Sequence, residues 1–213
     1  MYDDFISSSS MMERGTALHE IRLDQVLRRL RASGARRVLD LGCGSGQLLH
    51  RLVLEEQFEK IVGLETCPRV LMLARQSLAS DLQAPFPRLT LLNGSYTEEQ
   101  PSLQGYDAAA MVETIEHVKP ELLSAVERVV FTQMRPRVIY LTTPNREYNP
   151  LFDLHPGEFR EADHKFEWDR ARFAQWARGV ARRNGYKVIL GGIGEEDPDL
   201  GPPTQTAYFS VLD

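Results

Sequence analysis

Val38-Leu39-Asp40-Leu41-Gly42-Cys43-Gly44-Ser45-Gly46 is an apolar run that passes directly into three glycines at alternate positions. The apolar part reads as a buried strand, and Leu48–Leu54 resumes as a helix beyond the glycines. Glycines in such a turn permit positive φ and let a ligand touch the backbone where a Cβ would otherwise stand. A tight turn or a dinucleotide site has the same outline. The dinucleotide fingerprint, however, places its third glycine three positions after the second, and Gln47 stands there.

Outward from this loop the chain alternates strand and helix signals. Glu13–Ala32 carries Leu18, Ile21, Val26, Leu27 and Leu30 at helical spacing, and Ser33-Gly34 stops it. Strands are predicted at Arg37–Leu41, Lys60–Leu64, Arg88–Leu92, Tyr106–Val112, Arg137–Thr142, Tyr186–Leu190 and Gln205–Val211. Helices are predicted at Arg69–Leu82, Pro120–Thr132 and Arg170–Asn184, with a long irregular segment over Asn145–Asp169. This pattern predicts a Rossmann-like α/β fold, a mostly parallel seven-stranded sheet with helices on both faces. Its ligands should lie outside the carboxyl ends of the strands.

At 213 residues one domain is expected, over residues 13–213. Residues 1–12, MYDDFISSSSMM, are Ser-rich and aperiodic and read as a flexible leader, either an expression remnant or the cut end of a longer protein. No apolar stretch is long enough for a bilayer, and no signal-peptide layout is present, so a cytoplasmic protein with no membrane partner is expected. Cys43 and Cys67 read as free thiols. The formal net charge of −5 argues against nucleic acid only on average, because arginines crowd Arg28–Arg37 and Arg170–Arg183.

Gly-x-Gly-x-Gly after Asp40 resembles the first motif of class I S-adenosylmethionine-dependent methyltransferases. That resemblance implies cofactor contacts from Asp40, Gly42, Gly44 and Gly46. Glu65 closes the next strand, where an acid can accept from both hydroxyls of a ribose; a solvated loop carboxylate is the plain alternative. Many relatives carry Asp at that place. Gly94-Ser95 follows the third strand, where such enzymes contact adenine.

The fourth strand ends in Glu113-Thr114-Ile115-Glu116-His117. If Glu113 starts a turn or helix, Glu116 and His117 stand three and four residues on and face one side. Converging carboxylates and an imidazole repel, or bury charge at a cost, unless a cation compensates. Oxygen ligands with imidazole suit Mg²⁺ or Mn²⁺ better than a thiolate-type zinc site. Charged helix starts share this pattern; its place at a strand end facing the donated methyl group favours the metal. A fourth ligand must come from elsewhere, with His155 and His164 in the irregular segment as candidates. His155 lies in a Pro/Gly-flanked stretch that reads as surface loop, so His164 is preferred, against the alternative of a solvated side chain.

Taken together, Asp40–Gly46, Gly94-Ser95, Glu113–His117, Thr142–Asn149, Asp163–Trp168 and Pro203-Thr204-Gln205 resemble the Hua-enhancer family of small-RNA 3′-terminal 2′-O-methyltransferases, especially its bacterial RNA-repair members. By that resemblance Glu113, Glu116, His117 and His164 bind the metal at the catalytic centre, and Gly42, Glu65 and Ser95 contact the cofactor. The implied substrate is an RNA 3′ end with free 2′ and 3′ hydroxyls. The longer bacterial members carry an N-terminal portion that associates with a polynucleotide kinase–phosphatase. This chain has no room for that portion and reads as the isolated methyltransferase domain.

For holding RNA, Arg146, Tyr148 and Asn149 follow the fifth strand, and Arg170, Arg172, Arg178, Arg182 and Arg183 could meet phosphates. Phe166 or Trp168 could stack on a base, while Phe173 and Trp176 at helical spacing read as core. Two rival functions share the fold. One is methylation of a small catechol-like diol. The other is a non-catalytic RNA-end binding module, which would gain nothing from so much buried charge.

Overall fold

The seven apolar runs form β1 (Arg37–Leu41), β2 (Lys60–Glu65), β3 (Leu89–Asn93), β4 (Ala108–Val112), β5 (Val138–Pro144), β6 (Tyr186–Ile193) and β7 (Thr204–Val211). The computed structural model describes residues 3–155 and 157–212. The strands make one sheet in the order β3-β2-β1-β4-β5-β7-β6. β1 to β5 pair in parallel, and β7 runs antiparallel between β5 and β6. The expected Rossmann-like architecture is therefore the one found. The chain winds outward from β1 to β3 and returns on the other side of β1 as β4, so strand order reverses between them. Open α/β sheets bind ligands at that reversal. Register aligns Leu41 with Leu64 and Val112 with Thr142, which brings the turns after β1, β2, β4 and β5 to one edge.

Helices α1 (Asp3–Ala32), α2 (Gln47–Leu52), α3 (Pro68–Ser77), α4 (Ala79–Leu82), α5 (Leu123–Val126) and α6 (Arg170–Asn184) cover the sheet. Side chains alternate across a strand, and the central strands follow that rule closely. Leu39, Leu41, Ala109, Met111, Ile139 and Leu141 pack with Val126, Phe131, Phe173 and Val180 from the α5 and α6 side. Val38, Ala108, Ala110 and Tyr140 pack with Leu23, Val26, Leu30, Leu49 and Leu78 on the opposite face. Each fully buried leucine contributes about 1.5–3 kcal/mol.

Local differences from expectation have physical reasons. α1 begins at Asp3, not Glu13. The Ser-rich run has no apolar stripe to announce a helix, yet each residue added to an existing helix gains one backbone bond. Met1 and Tyr2 of the expected leader lie outside the described residues. Ile21 is exposed and Leu23 is buried in its place; the two lie roughly 200° apart around a helix, so only one can face the sheet. The helix expected over Pro120–Thr132 is a 3₁₀ turn, then α5, then a π-helical stretch over Glu127–Met134 that ends at Arg135 with positive φ. The irregular segment opens with a 3₁₀ helix, Arg146–Phe152, whose N-cap Asn145 accepts from the backbone of Glu147 at 3.0 Å. Cys43 and Cys67 are free thiols. Among the described residues no helix is long and apolar enough to cross a membrane.

Candidate active site and metal cluster

The glycine loop joins β1 to α2 at the strand-order reversal. Its Gly42, Gly44 and Gly46 all have positive φ. The backbone N–H groups of Gly42 and Cys43 both donate to the carbonyl of Leu64, which ties the loop to β2. A Cβ on Gly42 would lie 2.1 Å from Thr114 Oγ1, whereas a Cβ on Gly44 would meet nothing. The backbone is thus crowded on its protein side and bare at Gly44, where a ligand could approach. Glu65 faces this bare side. Its Oε2 accepts from Gly44 N at 3.0 Å and its Oε1 from Cys67 N at 2.8 Å. Asp40 is buried beneath, and burial followed by the charge of Glu65 raises its pKa to about 7. Ser95 joins the same edge because Gly94 N donates to the carbonyl of Glu65. Its hydroxyl caps its own turn, accepting from Thr97 N at 3.0 Å.

Beyond β4 the acidic residues form a turn and not a regular helix start. Glu113 has φ 47°, and Thr114 follows with φ −135°; only Ile115–His117 turns as 3₁₀ helix. A non-glycine residue in the left-handed region is costly and often marks a functional site. Its carboxylate accepts from Thr142 Oγ1 at 2.8 Å and pairs with Arg22 at 3.2 Å. Tyr96 holds the next residue, its hydroxyl donating to the carbonyl of Thr114 at 2.9 Å.

Glu116, His117 and His164 converge, their ligand atoms lying within 4.8 Å of one another. Glu113 is not in that cluster, since Arg22 and Thr142 hold it, although it lines the same cleft. Glu116 is fully buried. Thr143 Oγ1 donates to its Oε2 at 3.0 Å, and its Oε1 is buried with no partner among the described residues. Burial, then the charge of Glu113, pushes the Glu116 carboxyl well above the usual carboxylate range. Burial likewise lowers the His117 pKa, opposed by Asp163 and reinforced by His164.

Each histidine presents Nδ1 to a carboxylate, His117 to Asp163 at 3.0 Å and His164 to Glu167 at 2.6 Å. Nε2 of each ring is thereby left for a ligand bond. A buried carboxylate oxygen without a donor, beside two imidazoles oriented in this way, fits a divalent cation. The donor set of one carboxylate and two imidazoles, without thiolate, fits a first-row divalent cation such as Mn²⁺ and equally matches catalytic zinc sites. His155 takes no part in the cluster, to which the irregular segment brings His164.

Several functional neighbours escape a sequence reading. Arg22 lies on α1 amid other charged residues, and nothing in its spacing marks it as the buried partner of Glu113. Glu167 sits three residues after His164, a spacing that could have raised it. The cleft holds about 700 Å³ and is lined by Arg22, Gln47, Glu113, Glu116, His117 and His164, among others. Some expected RNA contacts are otherwise engaged. Trp168 is buried against Phe166, Phe173 and Trp176, so its indole serves the core and is closed to a base. Asn149 is buried and donates to Glu167 at 2.6 Å. Arg170 pairs with Glu147 and Arg183 with Glu127, while Arg172, Arg178 and Arg182 remain on the exposed face of α6.

Residues 39–136 match the family described as methyltransferase domain. The small RNA 2′-O-methyltransferase of Xenopus tropicalis is 38% identical over 82% of this chain and 50% of its own length. A crystal structure of the methyltransferase domain of a bacterial Hen1 is 38% identical, with a TM-score of 0.81 over 91% of this chain and 100% of that one. The chain belongs to the Hen1-type small-RNA 2′-O-methyltransferase family. The crystal structure of small RNA methyltransferase HEN1 agrees, at 31% identity and a TM-score of 0.83 over 91% of this chain and 26% of that one. The chain spans about half the length of the first curated Hen1-type relatives it matches.

Proposed function

We propose that this domain transfers a methyl group from S-adenosylmethionine to the 2′-hydroxyl of the 3′-terminal nucleotide of RNA, with Mg²⁺ or Mn²⁺ at the cluster. One observation carries the reading. Glu116, His117 and His164 converge around an unpartnered buried oxygen, and Thr114 of the same turn presses against Gly42 of the cofactor loop. Methyl donor and acceptor would therefore meet at one edge of the sheet. The open backbone at Gly44 would leave room for the cofactor, with Gly42 and Gly46 shaping the turn around it, Glu65 would accept from its ribose hydroxyls, and Asp40 and Ser95 would complete the site. Glu116, His117 and His164 would hold the cation, with Glu113 facing the same cleft. A divalent cation supplies Lewis-acid chemistry there, making the acceptor hydroxyl easier to ionise. Transfer would form an oxygen–carbon bond, break the sulfur–carbon bond and pass the hydroxyl proton to solvent. Fixing both partners in one cleft accounts for part of the acceleration, since oriented reactants behave as if highly concentrated.

The RNA-repair setting of bacterial relatives, a kinase–phosphatase partner and a cytoplasmic location belong to the same proposal and rest on the resemblance. Tritium transfer from labelled S-adenosylmethionine tests the core of it. An RNA with both terminal hydroxyls is expected to accept label, and chelator should stop transfer. RNA ending in a 2′-deoxy sugar or a 3′-phosphate, and small catechols, should remain unlabelled. Normal labelling of the 2′-deoxy RNA defeats the proposal.

A further inference from the structure

The carboxylate of Glu167 is fully enclosed yet takes no direct place in the cluster of Glu116, His117 and His164. Its Oε1 accepts from His164 at 2.6 Å and from the backbone N–H of Arg160 at 2.7 Å. Its Oε2 accepts from Asn149 Nδ2 at 2.6 Å. Asn149 is itself held, because Arg160 Nε donates to its Oδ1 at 2.8 Å. A buried anion is tolerated when its oxygens are occupied by donors in this way.

We propose that Glu167, clamped by Asn149, is a positioning residue that sets the tautomer and ring orientation of His164 before any cation arrives. The inference rests on the metal reading above for its purpose, but its geometry stands without it. An ionised carboxylate can only accept, so the His164 nitrogen at 2.6 Å must carry the proton. That nitrogen is Nδ1, which in the neutral ring leaves the lone pair on Nε2. The ring cannot turn freely, for it also stands edge-on to His117 with centroids 4.9 Å apart. The backbone beside it is pinned where Lys165 N donates to the carbonyl of Glu116 at 2.7 Å. His164 sits in an irregular segment with no strand ladder of its own. Without Glu167 little else would choose between its two tautomers, and the wrong one points an N–H at the cation.

His117 provides an internal contrast. Its partner Asp163 has 71% of its side chain exposed, where water competes for both groups and the orienting effect is weaker. Loss of a buried orienting partner typically weakens metal affinity about 10- to 100-fold.

Two measurements on the whole chain test the proposal. Long-range proton–nitrogen NMR in chelator should find His164 protonated at Nδ1, and Glu167→Gln should shift it toward a mixture of tautomers. Manganese binding followed by electron paramagnetic resonance should weaken about 10- to 100-fold in Glu167→Gln and less in Asp163→Asn. Affinity for S-adenosylhomocysteine should stay at the wild-type value, which reports a folded domain. If Glu167→Gln loses that affinity, Asn149→Ala carries the same comparison. An unchanged tautomer, or unchanged manganese affinity in a folded variant, overturns the proposal. Failure of the wild-type chain to bind manganese would instead overturn the metal reading, and the metal-free NMR result would still decide the role of Glu167.

Discussion

Replacing Glu116 by glutamine should stabilise the metal-free domain at alkaline pH and abolish its stabilisation by manganese. The substitution preserves shape and removes a charge whose Oε1 is buried without a donor and whose Oε2 has Thr143 as hydrogen-bond donor. Leaving a buried polar group unsatisfied costs about 1–3 kcal/mol. The sign of the pH dependence follows from the raised folded pKa of Glu116. A carboxyl whose pKa rises on folding contributes stability that is fully present below its unfolded value, about 4.3. That contribution is lost as pH climbs through the folded value. The metal-free wild type should therefore fall progressively behind Glu116→Gln as pH rises above about 5, the gap reaching about 1–3 kcal/mol at alkaline pH. Manganese at about a hundred times its dissociation constant should return about 2.7 kcal/mol to the wild type and little to the variant. Urea unfolding of both proteins followed by circular dichroism, in chelator and in manganese, at acidic and at alkaline pH, measures every combination. The reasoning fails if the variant is the less stable protein at high pH in chelator, or if manganese stabilises both alike.

Gly42→Ala and Gly44→Ala should part company. At Gly42 the added methyl meets Thr114 Oγ1 at 2.1 Å, so calorimetric binding of S-adenosylhomocysteine should be lost along with much stability. At Gly44 the methyl meets no atom of the described residues, and thermal unfolding should record only the left-handed backbone penalty of about 1–2 kcal/mol; equal losses of stability would contradict the packing described. Trp168→Ala should cost about 3–5 kcal/mol in chemical denaturation, the price of emptying an aromatic core position, and a fully stable variant with weakened RNA binding would return Trp168 to the substrate site.

Different parts of this domain were unequally legible. β1 to β5 were read within a residue or two because each is an apolar run between breakers, and α6 was read to its ends because Asp169 caps it and Gly185 stops it. The acidic turn was legible in its residue types but not in its shape. Helical spacing suggested that Glu113, Glu116 and His117 share a side, whereas the left-handed backbone at Glu113 turns its carboxylate toward Arg22 and Thr142. Arg22 was hidden because a charged residue on an amphipathic helix normally faces water, and only a buried partner brings it inward. Trp168 and Asn149 are candidate RNA contacts by residue type and place in the chain, yet both turn inward to build the segment that carries His164.

Sequence alone determined the order of strands and helices, the bare backbone of the cofactor loop and the identities of the candidate ligands. Those features depend on local periodicity and on residues close together along the chain. Tertiary structure alone decided that Glu116 and His164 meet, that Arg22 holds Glu113 out of their cluster, and that Glu167 sits behind the His164 ring. Such contacts join segments distant in the chain, and they are fixed by how the sheet edge and the long segment after β5 pack together. No local pattern records that packing.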